Sequence, residues 1–201
     1  MNSPMINNLT SLPQRFVRWP RAIFSALPVL ALSLWSGGFP AHADNDRREH
    51  HREPELPAPI CDTVNVPEGH RLVAHVYAVG VQIYRWTGTS WTFIAPEASL
   101  YADPCYDREI GTHYAGPTWE ARDGSKVVGS RLGACSPNRG AIPWLLLSAN
   151  SAPERGIFSR LSYIQRVNTV GGTAPAEPGS FVGDEARVPY STEYYFYRAH
   201  R

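Results

Sequence analysis

Leu72-Val73-Ala74-His75-Val76-Tyr77-Ala78-Val79 alternates with period two. Leu72, Ala74, Val76 and Ala78 share one face; Val73, His75, Tyr77 and Val79 share the other. Successive side chains of an extended strand point to opposite sides, whereas a helix groups positions three and four apart. Both faces are mostly apolar, as on a strand inside a two-layer β structure. Working outward, residues 81–86 form a second extended run after Gly80. Thr87-Gly88-Thr89-Ser90 reads as a hairpin turn into residues 91–95, with a short run at 98–101. Asp123-Gly124 is a strong turn signal between residues 118–122 and 125–129. Runs at 142–149, 162–168 and 192–198 complete the set, and residues 171–183 form a Gly/Pro loop long enough for a lid or a crossover. No convincing helical pattern follows residue 43. The expectation is an all-β chain, a single-domain antiparallel β-sandwich or small β-barrel.

The first 43 residues have a different character. Arg15, Arg18 and Arg21 precede an apolar run over residues 22–35, and Ala41-His42-Ala43 supplies a small–x–small cleavage pattern. The run falls short of the ~20 residues that span a bilayer. These features predict a signal peptide over 1–43, a secreted or periplasmic protein, and no membrane anchor after cleavage. Residues 44–61, opening DNDRREHHREPELPAP, read as a disordered linker, and 62–201 as the β domain. Without the three leader arginines, 16 basic face 18 acidic residues, a net charge of about −2. That balance offers no basic face for nucleic acid.

The three cysteines are Cys61, Cys105 and Cys135. An exported chain meets an oxidising compartment, so one disulfide and one odd thiol are expected. Cys105–Cys135 is the preferred pair, because both lie in proline-containing loop sequence flanking the densest patterned block. Cys61–Cys105, Cys61–Cys135 and no bridge remain open. No spacing resembles a zinc site, and no metal or cofactor is expected.

The richest local constellation is Gly111-Thr112-His113-Tyr114-Ala115-Gly116-Pro117-Thr118-Trp119-Glu120. With a tight turn at Ala115-Gly116-Pro117, His113 and Trp119 lie on facing strands and Glu120 sits near Thr112. His113 and Glu120 are the candidates for acid–base chemistry. The competing reading makes Trp119 a core residue and gives His113 a structural hydrogen bond. His75, Trp86, Trp91, Glu97, His113 and Trp119 are the candidate ligand-binding residues: exposed aromatic rings make platforms for sugars or other flat ligands, and His75 and His113 could converge with Glu97 or Glu120 on a metal, although sequence spacing does not show it. Glu97, Asp184, Glu185 and Glu193 are further carboxylates that a glycosidase pair would need.

The strings VPEGHRLVAHVYAVGVQIYRW (66–86), GTHYAGPTWEARDGSKVVG (111–129), AIPWLLL (141–147), YIQRVNTVGGTAP (163–175) and VPYSTEYYFYR (188–198) resemble domain of unknown function family 3455. That resemblance implies an exported protein of bacterial or fungal type and no established activity. Some fungal members carry a dehydrogenase label, but a Gly-x-Gly-x-x-Gly after a strand is missing here, as is βαβ patterning.

Three functions fit these features. The preferred one is an exported, non-enzymatic β domain that binds a ligand such as carbohydrate or cell-envelope material. The second is a secreted hydrolase or metal-dependent enzyme using His113 and Glu120. The third is a structural envelope protein, which predicts no well-formed pocket.

Overall fold

The computed structural model describes residues 52–152 and 155–200. The leader reading over 1–43 and the first part of the linker reading lie outside them. Eight strands follow one another: β1 His70–Trp86, β2 Trp91–Tyr101, β3 Glu109–Tyr114, β4 Thr118–Ala121, β5 Lys126–Cys135, β6 Trp144–Ser151, β7 Tyr163–Gly171 and β8 Glu185–Ala199. Each pairs antiparallel with the next, and β8 pairs with β1 to close a barrel. Closure leaves no unpaired sheet edge. Of the two all-β architectures expected from the sequence, the chain adopts the barrel.

The turns are where the sequence places them. Thr87 N–H donates to the Ser90 carbonyl at the β1–β2 tip. His113 pairs with Trp119 and Thr112 with Glu120 across the Ala115-Gly116-Pro117 turn, and Glu120 pairs with Lys126 across Asp123-Gly124. The runs at 72–79 and 81–86 are one strand, because Gly80 bends the chain without ending it. A Cβ at Gly80 would collide with the Glu97 carbonyl, and one at Gly111 with that of Glu120. Only glycine permits these close backbone approaches, which curve the strands into a barrel. The runs at 91–95 and 98–101 likewise merge through Pro96, next to a bulge between Ile83 and Tyr84.

Alternation sorts the side chains. Val76, Ala78, Leu100, Trp119, Val127, Leu147, Ile164, Tyr194 and Phe196 fill the interior. Glu97–Arg187, Glu120–Lys126 and Glu109–Arg122 ion pairs decorate the outer wall. This apolar-in, charged-out order is the reverse of that of a barrel facing lipid. One end is plugged by the β6–β7 connection, whose Phe158 and Leu161 are buried in the core. Asp123 Oδ2 accepts the Ile157 N–H at 2.9 Å and Ser125 Oγ accepts the Phe158 N–H at 3.1 Å, which pins the plug. The hairpin tips 87–90 and 115–117, with the loops 136–143 and 172–184, ring the other end.

The outer wall of β5–β8 carries a strap. Leu56, Cys61, Val64 and Val66 pack against Trp144, Leu146, Tyr163, Tyr195 and Tyr197. Gln165 Nε2 donates to the Val64 carbonyl at 2.7 Å, and Tyr197 hydroxyl donates to Gln165 Oε1 at 2.7 Å. This explains four consecutive buried rings: Tyr194 and Phe196 face the interior, Tyr195 and Tyr197 the strap side.

The disulfide joins Cys61 to Cys135 with Cα atoms 5.2 Å apart, and Cys105 is exposed and free. The Cys105–Cys135 expectation is therefore corrected. In an up-and-down barrel the β2–β3 loop that carries Cys105 lies at the plugged end, whereas Cys135 ends β5 at the other. Cys61, at the margin of the expected linker, is fully buried against the wall. Among the described residues no helix is long and apolar enough to cross a membrane.

Candidate functional site: the open end of the barrel

At the unplugged end lies a cavity of about 190 Å³. Its walls are Phe93, Ile94 and Pro96 of β2 and Leu145 and Leu147 of β6. Phe93 and Ile94 form a half-exposed rim. Five polar side chains enter it from five strands: Gln82 of β1, His113 of β3, Trp119 of β4, Arg166 of β7 and Tyr194 of β8. Strand parity puts them there. Gln82 follows Val76 and Ala78 on the inner face, Arg166 follows Ile164, and Arg166 pairs with Tyr194 across β7–β8.

Several of the buried polar atoms here lack partners among the described residues. Gln82 Nε2, Trp119 Nε1 and the Tyr194 hydroxyl make no hydrogen bond, although the side chains are 2, 1 and 0% exposed. The Tyr190 hydroxyl, just behind them, is in the same condition. Gln82, Trp119, Tyr190, Tyr194 and Arg166 stand close enough to perturb one another's protonation, without reaching hydrogen-bond geometry. A buried polar atom without a partner costs about 1–3 kcal/mol, and folded proteins keep few of them. Four in one cluster mark a place where stability is given up.

The ionisation states follow from burial. Desolvation drives the His113 pKa down to about 3, opposed by its bond to Thr118 and assisted by the Arg166 charge. Its Nδ1–H donates to the Thr118 carbonyl at 2.9 Å, so the proton sits on Nδ1 and Nε2 is an acceptor. Burial also raises the Tyr190 and Tyr194 hydroxyls, which stay protonated. Arg166 is the one charged group in the lining. Its Nε and Nη2 donate to the Pro143 carbonyl at 3.1 and 2.8 Å.

The sequence-derived candidates divide between two sides of the wall. His113 and Trp119 meet inside, stacked with centroids 4.2 Å apart. Glu120 lies outside, accepting from the Tyr114 hydroxyl at 2.7 Å and from Lys126 Nζ at 3.1 Å. These two donors hold its carboxyl below the usual range. His113 and Glu120 thus do not converge. His75 is also outside: its Nε2 lies 2.7 Å from Glu193 Oε2, and its ring stacks on Tyr195 at 4.1 Å. Glu97 pairs with Arg187 at 2.8 Å, and Asp184 accepts the N–H groups of Ser180 and Phe181. Among the described residues no three His, Cys, Asp or Glu gather closely enough to hold a metal ion.

Trp86 and Trp91 are half-buried, tilted 57° to one another with centroids 5.4 Å apart. Trp91 Nε1 donates to the Glu177 carbonyl at 2.8 Å, and Gly179 packs on the Trp86 ring. Tyr84 hydroxyl donates to the Gly172 carbonyl at 2.6 Å. The pair clasps the 172–184 loop beside the mouth.

Gln82, Arg166 and Tyr194 are site residues that the sequence reading passed over. The signal was a polar or charged residue at a core-facing parity: Gln82 among Val76, Ala78 and Tyr84, and Arg166 two places after Ile164.

No curated protein and no solved structure matches this chain. A family model does match, over residues 67–198, described as a protein of unknown function (DUF3455). Because that match spans strands β1 to β8 and well over half of the sequence, the chain belongs to the DUF3455 family.

Proposed function

We propose that this protein is an exported binding barrel that holds one small, largely apolar molecule in the open-end cavity. The observation that carries this reading is the set of buried, unpartnered polar atoms of Gln82, Trp119 and Tyr194 facing a hollow with apolar walls. Eight-stranded barrels are wide enough either to fill with side chains or to hold one small ligand. A cavity near 150 Å³ accommodates benzene, so about 190 Å³ suits a single ring or a short chain, not a polymer. Binding is favoured over catalysis because no carboxylate or thiol lines the cavity and His113, with a pKa of about 3, is a poor base at neutral pH. A sugar platform on Trp86 and Trp91 is less favoured, since the rings are splayed and engaged with the 172–184 loop. The cavity also favours a ligand binder over a purely structural envelope protein. Export is supported by the leader pattern and by the Cys61–Cys135 bridge, which suits an oxidising compartment.

Ligand-observed NMR with phenol, indole, toluene and phenylacetate tests this reading. At least one ring-sized probe should bind at one site and be expelled by Ile94→Trp, which caps the mouth from a half-exposed position. If none binds the parent protein better than the capped variant, the reading fails.

A further inference from the structure

Arg166 is an inward-facing cation without a counter-ion among the described residues. Every ion pair among the described residues involves other partners: His75–Glu193, Arg122–Glu109, Lys126–Glu120, Arg187–Glu97 and Arg187–Glu185. No carboxylate lines the cavity. The guanidinium is half-buried and tethered to a single carbonyl, Pro143 O, through Nε and Nη2. Two of its five N–H donors are used, and three remain. The tether fixes the fork at the mouth and keeps it from swinging away into water.

Three of the four neutral polar groups around it lean the same way, His113 Nε2 being the acceptor among them. Trp119 Nε1 can only donate, Gln82 presents Nε2, and Tyr194 keeps its hydroxyl proton. The cavity therefore presents N–H and O–H donors around one positive charge, with apolar walls of Leu145 and Leu147 beside it on β6 and Phe93 on β2. Charged donors of this kind match planar oxyanions, because a guanidinium fork meets both oxygens of a carboxylate in one plane. Arg166 meets no anion in the lining, and an anionic ligand would engage its remaining donors together with the unpartnered ones.

We infer that the ligand is a ring-sized or short-chain carboxylic acid, bound as its anion, with the carboxylate on Arg166 and the donors of Gln82, Trp119 and Tyr194 and its apolar body against Leu145 and Leu147. This rests on the barrel being a ligand binder and adds the chemistry of the head group. It also sets the specificity: an amide or ester of the same shape places an uncharged group beside Arg166 and forfeits the charge-assisted bonds.

Calorimetric titration of the purified protein with phenylacetate and with phenylacetamide tests it. Phenylacetate should bind at least about tenfold more tightly than the amide, as expected for a charge-assisted bond. Arg166→Gln should remove that preference by weakening phenylacetate binding at least about tenfold, and Arg166→Lys should restore part of it. Should Arg166→Gln fail to fold, the parent protein still decides, since its acid-to-amide ratio must fall as salt is raised or as pH drops below the probe's own pKa. Equal binding of acid and amide overturns the inference and leaves the binding barrel standing. Binding of neither overturns the inference, and the binding barrel falls with it only if phenol, indole and toluene also fail to bind.

Discussion

His113 and Trp119 lie face to face inside the barrel, 14° from parallel and 4.2 Å between ring centroids, joined by the turn whose Thr118 carbonyl takes the His113 Nδ1–H. The pair is at once wall and floor of the cavity, and it fixes the histidine in its neutral form. A residue that looks chemically versatile in the sequence is held there as a neutral structural donor.

That arrangement has a pH signature. Free histidine takes a proton below its usual 6.5, whereas folded His113 resists it down to about 3. The unfolded chain therefore binds more protons across that window. The His113 contribution is complete above 6.5 and is lost as pH falls towards 3, at up to about 1.4 kcal/mol per pH unit. Urea unfolding at stepped pH should show this slope, and His113→Phe should flatten it. A parent protein equally stable at pH 4 and 7 contradicts the assignment.

The outer wall adds a second, lower window. Glu193 is desolvated, which alone would raise its pKa, but bonds from His75, Asn168 and Tyr195 outweigh that and hold it below 4.5. Its contribution is full above 4.5 and lost as pH falls through the lowered value. Glu193→Gln keeps the shape and removes the charge, and should destabilise by about 1–3 kcal/mol at pH 7. A melting temperature unchanged within error at that pH would count against the network.

The strap depends on one covalent tie. Cys61–Cys135 closes a separation of 74 residues, worth about 4 kcal/mol in the chain-entropy model. Cys61→Ser should destabilise by that order, and Cys105→Ser by less than about 0.5 kcal/mol. Non-reducing peptide mapping should recover Cys61 linked to Cys135 and an alkylatable Cys105. A Cys105–Cys135 peptide would refute the strap.

Curvature depends on glycine. At Gly80 a methyl group meets the backbone of Glu97 and Ala98, which cannot give way as a flexible side chain would. Gly80→Ala should destabilise by more than about 3 kcal/mol, whereas Gly129→Ala, which meets only the side chains of Leu147 and Trp119, should be milder. Equal midpoints in urea would show that the strand relaxes around the methyl.

Much of the barrel was legible in advance because its information is local. Period-two alternation around Val76 and the turns at Gly88, Gly116 and Gly124 are properties of a few neighbouring residues, and they gave the register that sets His113 opposite Trp119. What failed was non-local. Cysteine pairing depends on which barrel end each loop reaches, and that requires the number of strands between them. The first part of the strap looked like linker because Leu56 and Cys61 are apolar only at intervals and find partners on β5–β8, about 70 to 140 residues later. The site was half visible: His113 and Trp119 stood out by type, while Gln82 and Arg166 needed an inner face to be anomalous on.

The most direct test of the cavity follows the Trp119 indole N–H, which has no hydrogen-bond partner among the described residues. In a ¹H–¹⁵N correlation spectrum assigned with Trp119→Phe, titration with phenylacetate should shift the Trp119 cross-peak in a saturable way and leave those of Trp86 and Trp91 in place. A Trp119 signal that never moves, or saturable shifts confined to Trp86 and Trp91, would place any ligand outside the barrel and contradict the account.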